Sequence, residues 1–335
     1  MELALTKPRY DVVAIGNAIV DVLSTADDAF IAAQGMAKGS MQLVFSAADA
    51  DALYAKMGPG LEVSGGSAAN TVAGIAALGG NTAFIGQVAD DQLGEVFAHD
   101  IRAAGVDFAT AARPGEPTTG RCLIFVTPDG QRTMNTFLGA GQFLPEAALD
   151  RTMIADAAIL YLEGYLWDPE EPRAAMRAAI EVARKAGRKV AFTLSDVFCI
   201  SRHGDDFRKL IADGLIDILF ANEAELLALA QVDALEEAVA QLSAQVATLV
   251  VTRGEHGALA VQAGARADVP AQPIGQLVDT TGAGDLFAAG FLHGQATGKG
   301  LEASLKLGAA CAAEVITHVG ARPQADLRAI AAKLD

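Results

Sequence analysis

Cysteine, histidine and tryptophan are scarce in this 335-residue chain, with three, five and one respectively. Cys122, Cys199 and Cys311 lie far apart and form no CxxC pair, which excludes a disulfide framework and a thiolate zinc site. So sparse and odd a count fits a reducing cytoplasm, with the thiols used as small apolar core residues. His99, His203, His256, His293 and His318 show no ligand spacing, so a histidine zinc site is not expected either. Positive charge is also short: 25 Lys and Arg against 41 Asp and Glu give a net charge of −16. Duplex nucleic acid, which needs a dense basic surface, is thereby excluded as the main partner. A small anion held by a few backbone amides is not. The N-terminus has no apolar targeting run. The one long uncharged stretch, Val63 to Ala89, is interrupted by Gly65-Gly66, Asn70, Gly79-Gly80-Asn81 and Gly86, and reads as loop, buried helix and strand rather than as a membrane span. A soluble cytoplasmic protein without a membrane partner is expected.

What the chain does have is apolar content, 52%, and 34 glycines. Short apolar runs at Asp11–Gly16, Thr82–Val88, Ala157–Leu162, Lys189–Leu194, Ile216–Ala221 and Ala247–Thr252 read as buried strands. Between them, Ala68–Leu78, Gln92–Ala104, Pro172–Ala186, Glu223–Ala230 and Ala234–Ala244 read as helices, and Gly282–Gln295, Leu301–Thr317 and Gln324–Lys333 close the chain. Such alternation predicts an α/β fold, a mostly parallel sheet covered on both faces. Two pieces break the rhythm: a short strand within Gly39–Phe45, and a hairpin of Gly120–Val126 and Gln131–Phe137 around Pro128-Asp129-Gly130. Extra strands of this kind predict a small sheet covering a site on the main one.

Chemistry concentrates in Val278-Asp279-Thr280-Thr281-Gly282-Ala283-Gly284-Asp285. The glycines open a long apolar helix, where backbone N–H groups lack intrahelical acceptors and the dipole favours an anion. Asp285 in the first turn reads either as a carboxylate stabilising that dipole or as a general base beside a phosphate cradle. A dinucleotide fingerprint is not formed, since Phe287 stands where its third glycine would be and Gly16 is followed by Asn17-Ala18-Ile19. This disfavours a nicotinamide-dependent oxidoreductase.

Asp279 to Asp285 resembles the C-terminal signature of the PfkB carbohydrate kinases, the family of ribokinase and adenosine kinase. The resemblance spans nearly the whole chain: Gly16-Asn17-Ala18-Ile19-Val20-Asp21, then Ser64-Gly65-Gly66-Ser67-Ala68-Ala69-Asn70, Ile85-Gly86-Gln87-Val88-Ala89-Asp90-Asp91 with Gly94, Asn222-Glu223-Ala224-Glu225, and Thr252-Arg253-Gly254-Glu255-His256-Gly257, in the family's order. It implies a ribokinase-like three-layer α/β/α fold in which residues 1–335 form one kinase unit. A β-sheet lid would be built from about 17–24, 38–46, 61–66 and 116–138, and the protein would be a monomer or homodimer.

The implied activity is ATP-dependent phosphorylation of a CH2OH group. By resemblance, Asp285 is the catalytic base and the amides of Gly282, Ala283 and Gly284 form the anion hole. Asn17, Asp21, Gly65, Gly66 and Asn70 grip a sugar, Arg132 closes over the transferred phosphate, and Tyr165 stacks on a base. Asn222, Glu225, Thr252, Gly254 and Gly257 serve ATP, with Mg2+ held through water near Asn222 and Glu225, and Asp279 with Thr281 offers part of a K+ site. The structural alternatives are a turn Asp at 21, a solvent-facing helical Asn at 70, a capping Asn222 with a surface Glu225, a solvated Arg132 and a packed Tyr165.

Several stretches resemble adenosine kinases more than ribokinases or fructokinases, among them Ile216 to Glu225, Thr193 to Cys199, Asp27 to Leu43 and Tyr161 to Trp167. Adenosine is therefore the expected acceptor, with Met41, Leu43 and Phe137 walling the base. Ribose, fructose or 2-keto-3-deoxygluconate is the alternative, for which Gln42 and Asn135 would supply polar groups. A silent nucleotide or sugar sensor on the same fold is a third reading.

Overall fold

In the computed structural model, which describes residues 8–334, the alternation of strands and helices builds two sheets. Fourteen strands are numbered in chain order: β1 Tyr10–Ile15, β2 Ile19–Thr25, β3 Met41–Leu43, β4 Gly60–Gly65, β5 Thr82–Ile85, β6 Val106–Phe108, β7 Gly120–Val126, β8 Arg132–Phe137, β9 Ala157–Glu163, β10 Lys189–Thr193, β11 Ile218–Asn222, β12 Thr248–Thr252, β13 Ala258–Gln262 and β14 Ala265–Val269. Nine form the large sheet, in the order β14-β13-β12-β11-β10-β9-β1-β5-β6. It is parallel from β6 to β12 and antiparallel only at β13 and β14. These two strands were not foreseen; β13 is apolar and mostly buried but only five residues long, and the edge strand β14 is mostly exposed and carries little apolar signal.

Both faces of the large sheet are dry, as a parallel sheet requires. Along β1, Val12 and Ala14 pack into one core with Ala69, Val72, Leu286, Ala289 and Phe291, from helices Ser67–Ala77 and Ala283–Ala296. Val13 and Ile15 pack into the other with Trp167, Met176, Ile180 and Phe207. Helix Val197–Ala212 lies in that second layer and was also unforeseen, since its charged stretch Arg202 to Arg208 masks the buried stripe Cys199, Ile200, Gly204, Phe207, Leu210 and Ile211.

The small sheet has the order β3-β8-β7-β2-β4. The expected hairpin forms it with β7 and β8, antiparallel, while β2 runs parallel to β7. Side chains alternate across a strand, so register decides what this sheet shows to each side. One row runs Asp21, Cys122, Thr136, Leu43 across four strands, and Arg132 and Met134 share that face. Arg132 reaches Asp279 in the large body, 2.7 Å away, so this is the inner face.

The opposite face carries Val22, Leu123, Asn135 and Gln42 in one row and Val20, Arg121 and Phe137 in the next. It is covered by the helices Asp28–Ala33 and Ala47–Tyr54: Phe125 meets the Phe30 ring at 5.0 Å, and Arg121 pairs with Asp51. Three expectations are thereby corrected. Phe137 packs under Arg121 on the outer face and walls no cleft. Asn135 and Gln42 hydrogen-bond each other there, with Asn135 also donating to the Leu123 carbonyl, so neither offers a polar group to a ligand. Met41 and Leu43 do lie on the inner face, both exposed.

Candidate functional site

The two sheets meet where the chain crosses between them, and the expected ligand-gripping residues sit on the crossings. The first crossing, Gly16 to Ala18, joins β1 to β2. Asn17 there is buried and donates through both its backbone N–H and its Nδ2 to Glu163 Oε1, each at 2.8 Å. The second joins β4 to helix Ser67–Ala77. Gly66 has φ +103°, and a Cβ on it would stand 2.1 Å from the Asn17 carbonyl oxygen, so only glycine fits. A Cβ on Gly65 would stand 2.6 Å from the Asp21 carboxylate, so this residue opens the space that Asp21 uses.

Helix Ser67–Ala77 carries the next two functional side chains one turn apart, on the same face. Ser67 Oγ donates to Asp285 Oδ1 at 2.6 Å and Asn70 Nδ2 donates to Asp285 Oδ2 at 2.9 Å. Asn70 is thus buried against the cleft rather than facing solvent. Its Oδ1 and that of Asn17 are buried without a partner, two acceptors left over for hydroxyl groups. Burial pushes the Asp285 carboxyl above the usual carboxylate range, opposed by Ser67, Asn70 and Arg322. Asp21 is pushed up to about 7 by burial, opposed by Arg322 and Arg132.

Asp285 opens helix Ala283–Ala296, whose N-cap Gly282 is left-handed at φ +78°. The amide of Ala283 donates to the Thr280 carbonyl at 3.2 Å, which commits one of the three expected cradle donors inside the turn and leaves Gly282 and Gly284. A Cβ built on Gly284 meets no atom within 4 Å, so the turn is open on that side. Asp279 steadies the turn from below, accepting from Thr281 N through Oδ1 and from Gly320 N through Oδ2, both at 3.0 Å.

Arg132 is buried, not solvated, and its Nη1 lies 2.7 Å from Asp279 Oδ2 and 3.2 Å from Thr281 Oγ1. The positive charge expected of K+ at Asp279 and Thr281 is therefore already supplied by a side chain, and these two residues do not fit a monovalent cation in this conformation. Nε and Nη2 of Arg132 are buried without partners.

Asn222 and Thr252 face each other at the ends of β11 and β12. Asn222 caps helix Glu223–Ala230 and Glu225 completes a capping box: Asn222 Oδ1 accepts from Glu225 N at 2.8 Å, while Glu225 Oε2 accepts from Asn222 N at 2.9 Å. Glu225 is buried rather than a surface residue, and burial raises its carboxyl to about 7. Among the described residues no cluster of three or more His, Cys, Asp or Glu is arranged to hold a metal ion. A single carboxylate is compatible with Mg2+, which keeps several waters and leans on substrate phosphates. Beyond Thr252, Gly254 and Gly257 are both left-handed. Gly257 is required by packing, since a Cβ there would stand 2.0 Å from the Val269 carbonyl oxygen, whereas Gly254 faces open space.

Tyr165 lies half-buried on the turn Gly164–Trp167, packed against the second core, and its hydroxyl donates to the Ser195 carbonyl at 3.2 Å. Three participants were missed in the sequence. Ser67 was findable, lying three residues before Asn70. Glu163 was hinted at, a carboxylate directly after an uncharged buried strand; it is fully buried, raised to about 7 by burial, and its Oε2 accepts from Ala68 N at 2.7 Å. Arg322 carried no signal.

Residues 55–327 match the pfkB family carbohydrate kinase model. An adenosine kinase from Sinorhizobium meliloti is 46% identical with a TM-score of 0.90, covering 98% of this chain and 100% of that one. A probable sugar kinase from Rhizobium etli CFN 42 is 45% identical with a TM-score of 0.91 over the same shares. A fructokinase of Klebsiella pneumoniae is 33% identical over 244 residues, 70% of this chain and 78% of its own. The chain belongs to the pfkB family of carbohydrate kinases, with its ribokinase-like fold and its phosphotransfer to an alcohol group.

Proposed function

We propose that the protein transfers the γ-phosphoryl group of ATP to the primary hydroxyl of a ribonucleoside, adenosine before others, to give the 5′-monophosphate and ADP. The observation that carries the reading is the placing of Asp285, held by Ser67 and Asn70 beside a glycine turn whose Gly284 side is open. In this reading Asp285 takes the proton of the acceptor hydroxyl as its oxygen bonds to the γ-phosphorus and the bond to the β–γ bridging oxygen breaks. The Gly282 and Gly284 amides hold the charge on the transferring group, and Arg132 adds its two unpartnered donors. Asp21, Asn17 and Asn70 accept from the sugar hydroxyls, and the small sheet serves as a lid that excludes water. Asn222, Thr252 and Gly254 would line the ATP side, and Glu225 would accept from waters of a bound Mg2+. When bound, Mg2+ neutralises phosphate charge.

Adenosine is favoured over a free sugar by the make-up of the small sheet. On the inner face of the small sheet Met41 and Leu43 are exposed and apolar, while Gln42 and Asn135 point away. The similarity to known proteins does not separate the two acceptors, since the 46% identity to an adenosine kinase stands beside 45% to a probable sugar kinase over the same share of this chain.

ATP consumption measured with adenosine, inosine, ribose, fructose and 2-keto-3-deoxygluconate at matched concentrations tests the reading. Preference for adenosine supports it. Preference for a free sugar keeps the base and cradle and discards the nucleoside pocket. No turnover in any well, with ATP still bound, favours a sensor.

A further inference from the structure

Arg322 follows the last long helix, Leu301–Val315, yet its side chain ends at the crossing between the sheets. Nε and Nη2 donate to the Ser64 carbonyl at 3.2 and 2.7 Å, Nη2 also to Ser64 Oγ at 2.8 Å, and Nη1 to the Ala69 carbonyl at 3.0 Å. One guanidinium thus spans the chain from β4 into helix Ser67–Ala77, across Gly65 and Gly66. Ser64 is gripped from the other side by Asp100, of helix Gln92–Ala103, which accepts from Ser64 N at 2.8 Å and from Ser64 Oγ at 2.5 Å. On the β4 side of this clamp Gly65 abuts the Asp21 carboxylate; on the helix side Ser67 and Asn70 hold Asp285.

Every hydrogen bond Arg322 makes goes to a neutral acceptor, and among the described residues it forms no ion pair. Its charge is therefore not cancelled by contact, and the carboxylates it faces are Asp100, Asp21 and Asp285. We propose that Arg322 is a positioning residue for the transfer reaction: its fork sets the span between Ser64 and Ala69, and so the placing of Asp21 relative to Asp285. This rests on the kinase reading above.

Its charge has a second consequence. Asp285 is surrounded by Ser67, Asn70 and Arg322, with Asp21, Tyr161, Glu163 and Tyr165 close enough to feel its charge; Asp21 faces Arg322, Arg132, Asp279, Asp285 and Cys122. Arg132 also favours ionised Asp21 but is paired with Asp279, whereas Arg322 makes no ion pair among the described residues and favours both ionised Asp21 and ionised Asp285.

The test is the pH profile of kcat and KM for Arg322→Met, Arg322→Lys and Asp100→Asn in the full chain, with amide hydrogen exchange of residues 60–70. Arg322→Met is expected to lower kcat about tenfold or more, leave KM for ATP within about threefold, and move the acid limb up by roughly half a unit to one unit. Arg322→Lys keeps the charge without the fork, so it holds the acid limb while losing part of kcat. Asp100→Asn loosens Ser64 alone and lowers kcat with the limb unmoved. A folded Arg322→Met with unchanged kcat and acid limb overturns the proposal, and so does Arg322→Lys shifting the limb as Arg322→Met does. Faster exchange of residues 60–70 in Arg322→Lys reads the clamp without turnover. Unchanged exchange overturns the clamp, whereas failure of the kinase reading appears separately, as an unsubstituted protein silent with all acceptors.

Discussion

Asn70 and Asp285, 215 positions apart in the chain, are joined by a hydrogen bond of 2.9 Å, and the amide spends its one donated contact on the carboxylate while its own oxygen stays unpaired. A carboxylate fixed in this way can receive a proton without rotating, which is what a base needs. Asp285→Asn is expected to fold, to bind ATP with affinity within about threefold of normal, and to lose turnover by about 10²–10⁴. Steady-state rates and calorimetric ATP binding check this; turnover within tenfold of normal would remove the assignment of Asp285 as base.

Activity and stability should respond to pH in opposite directions. Asp285 is raised by burial and Asp21 to about 7, so both must lose protons for the site to work, and kcat/KM falls as pH drops through that region. Asp21, Glu163 and Glu225, each near 7, hold protons more tightly folded than unfolded. Their contribution to stability is therefore present below the unfolded values and lost as pH rises through about 7. A net charge of −16 adds to the same trend. The melting temperature is expected to rise from pH 7.5 to pH 5.5 while the rate falls; a melting temperature that falls over this interval refutes the assignment.

Arg132 and Asp279 are both buried, with side-chain exposures of 7% and 3%. Removing one partner of such a pair strands the other, and Arg132→Ala should cost about 3 kcal/mol of stability by urea unfolding. Because Arg132 already sits on Asp279, replacing K+ by choline at constant ionic strength is expected to leave the melting temperature of the unsubstituted protein unchanged and its rate within about twofold. A large K+ requirement would show that the arginine gives way to a metal ion.

The two faces of the small sheet separate specificity from stability. Leu43→Gln, on the inner face, should raise KM for adenosine by roughly tenfold with the melting temperature held. Phe137→Ala, on the outer face beneath Arg121, should instead cost about 3 kcal/mol with KM little changed. Interchanged outcomes in paired kinetics and melts would mean the register has been misread.

The same register explains what the sequence made legible. The buried strands, the hairpin and the glycine turn before Asp285 were visible because each rests on local pattern: apolar runs, a turn tripeptide, a helix start. Phe137, Gln42 and Asn135 were misplaced because their side of the sheet depends on pairing between strands distant in sequence, and moving one residue along a strand reverses it. Glu225 was open to a surface reading because burial of a capping carboxylate is decided by what packs over it. Arg322 is the extreme case, since its partners stand 258 and 253 positions away and no local pattern announces them.

Two crossings between the sheets, at Gly16–Ala18 and at Gly65–Gly66, run through the residues assigned to grip the acceptor, and Gly66 lies against the Asn17 carbonyl. Holding the ligand and bending the chain are thus assigned to one set of atoms. A lineage that altered Asn17 or Gly66 to accommodate a different acceptor would at once alter how the two sheets swing. Change of substrate has its freer route through the far end of the small sheet, at Met41 and Leu43, where the apolar surface carries no hinge.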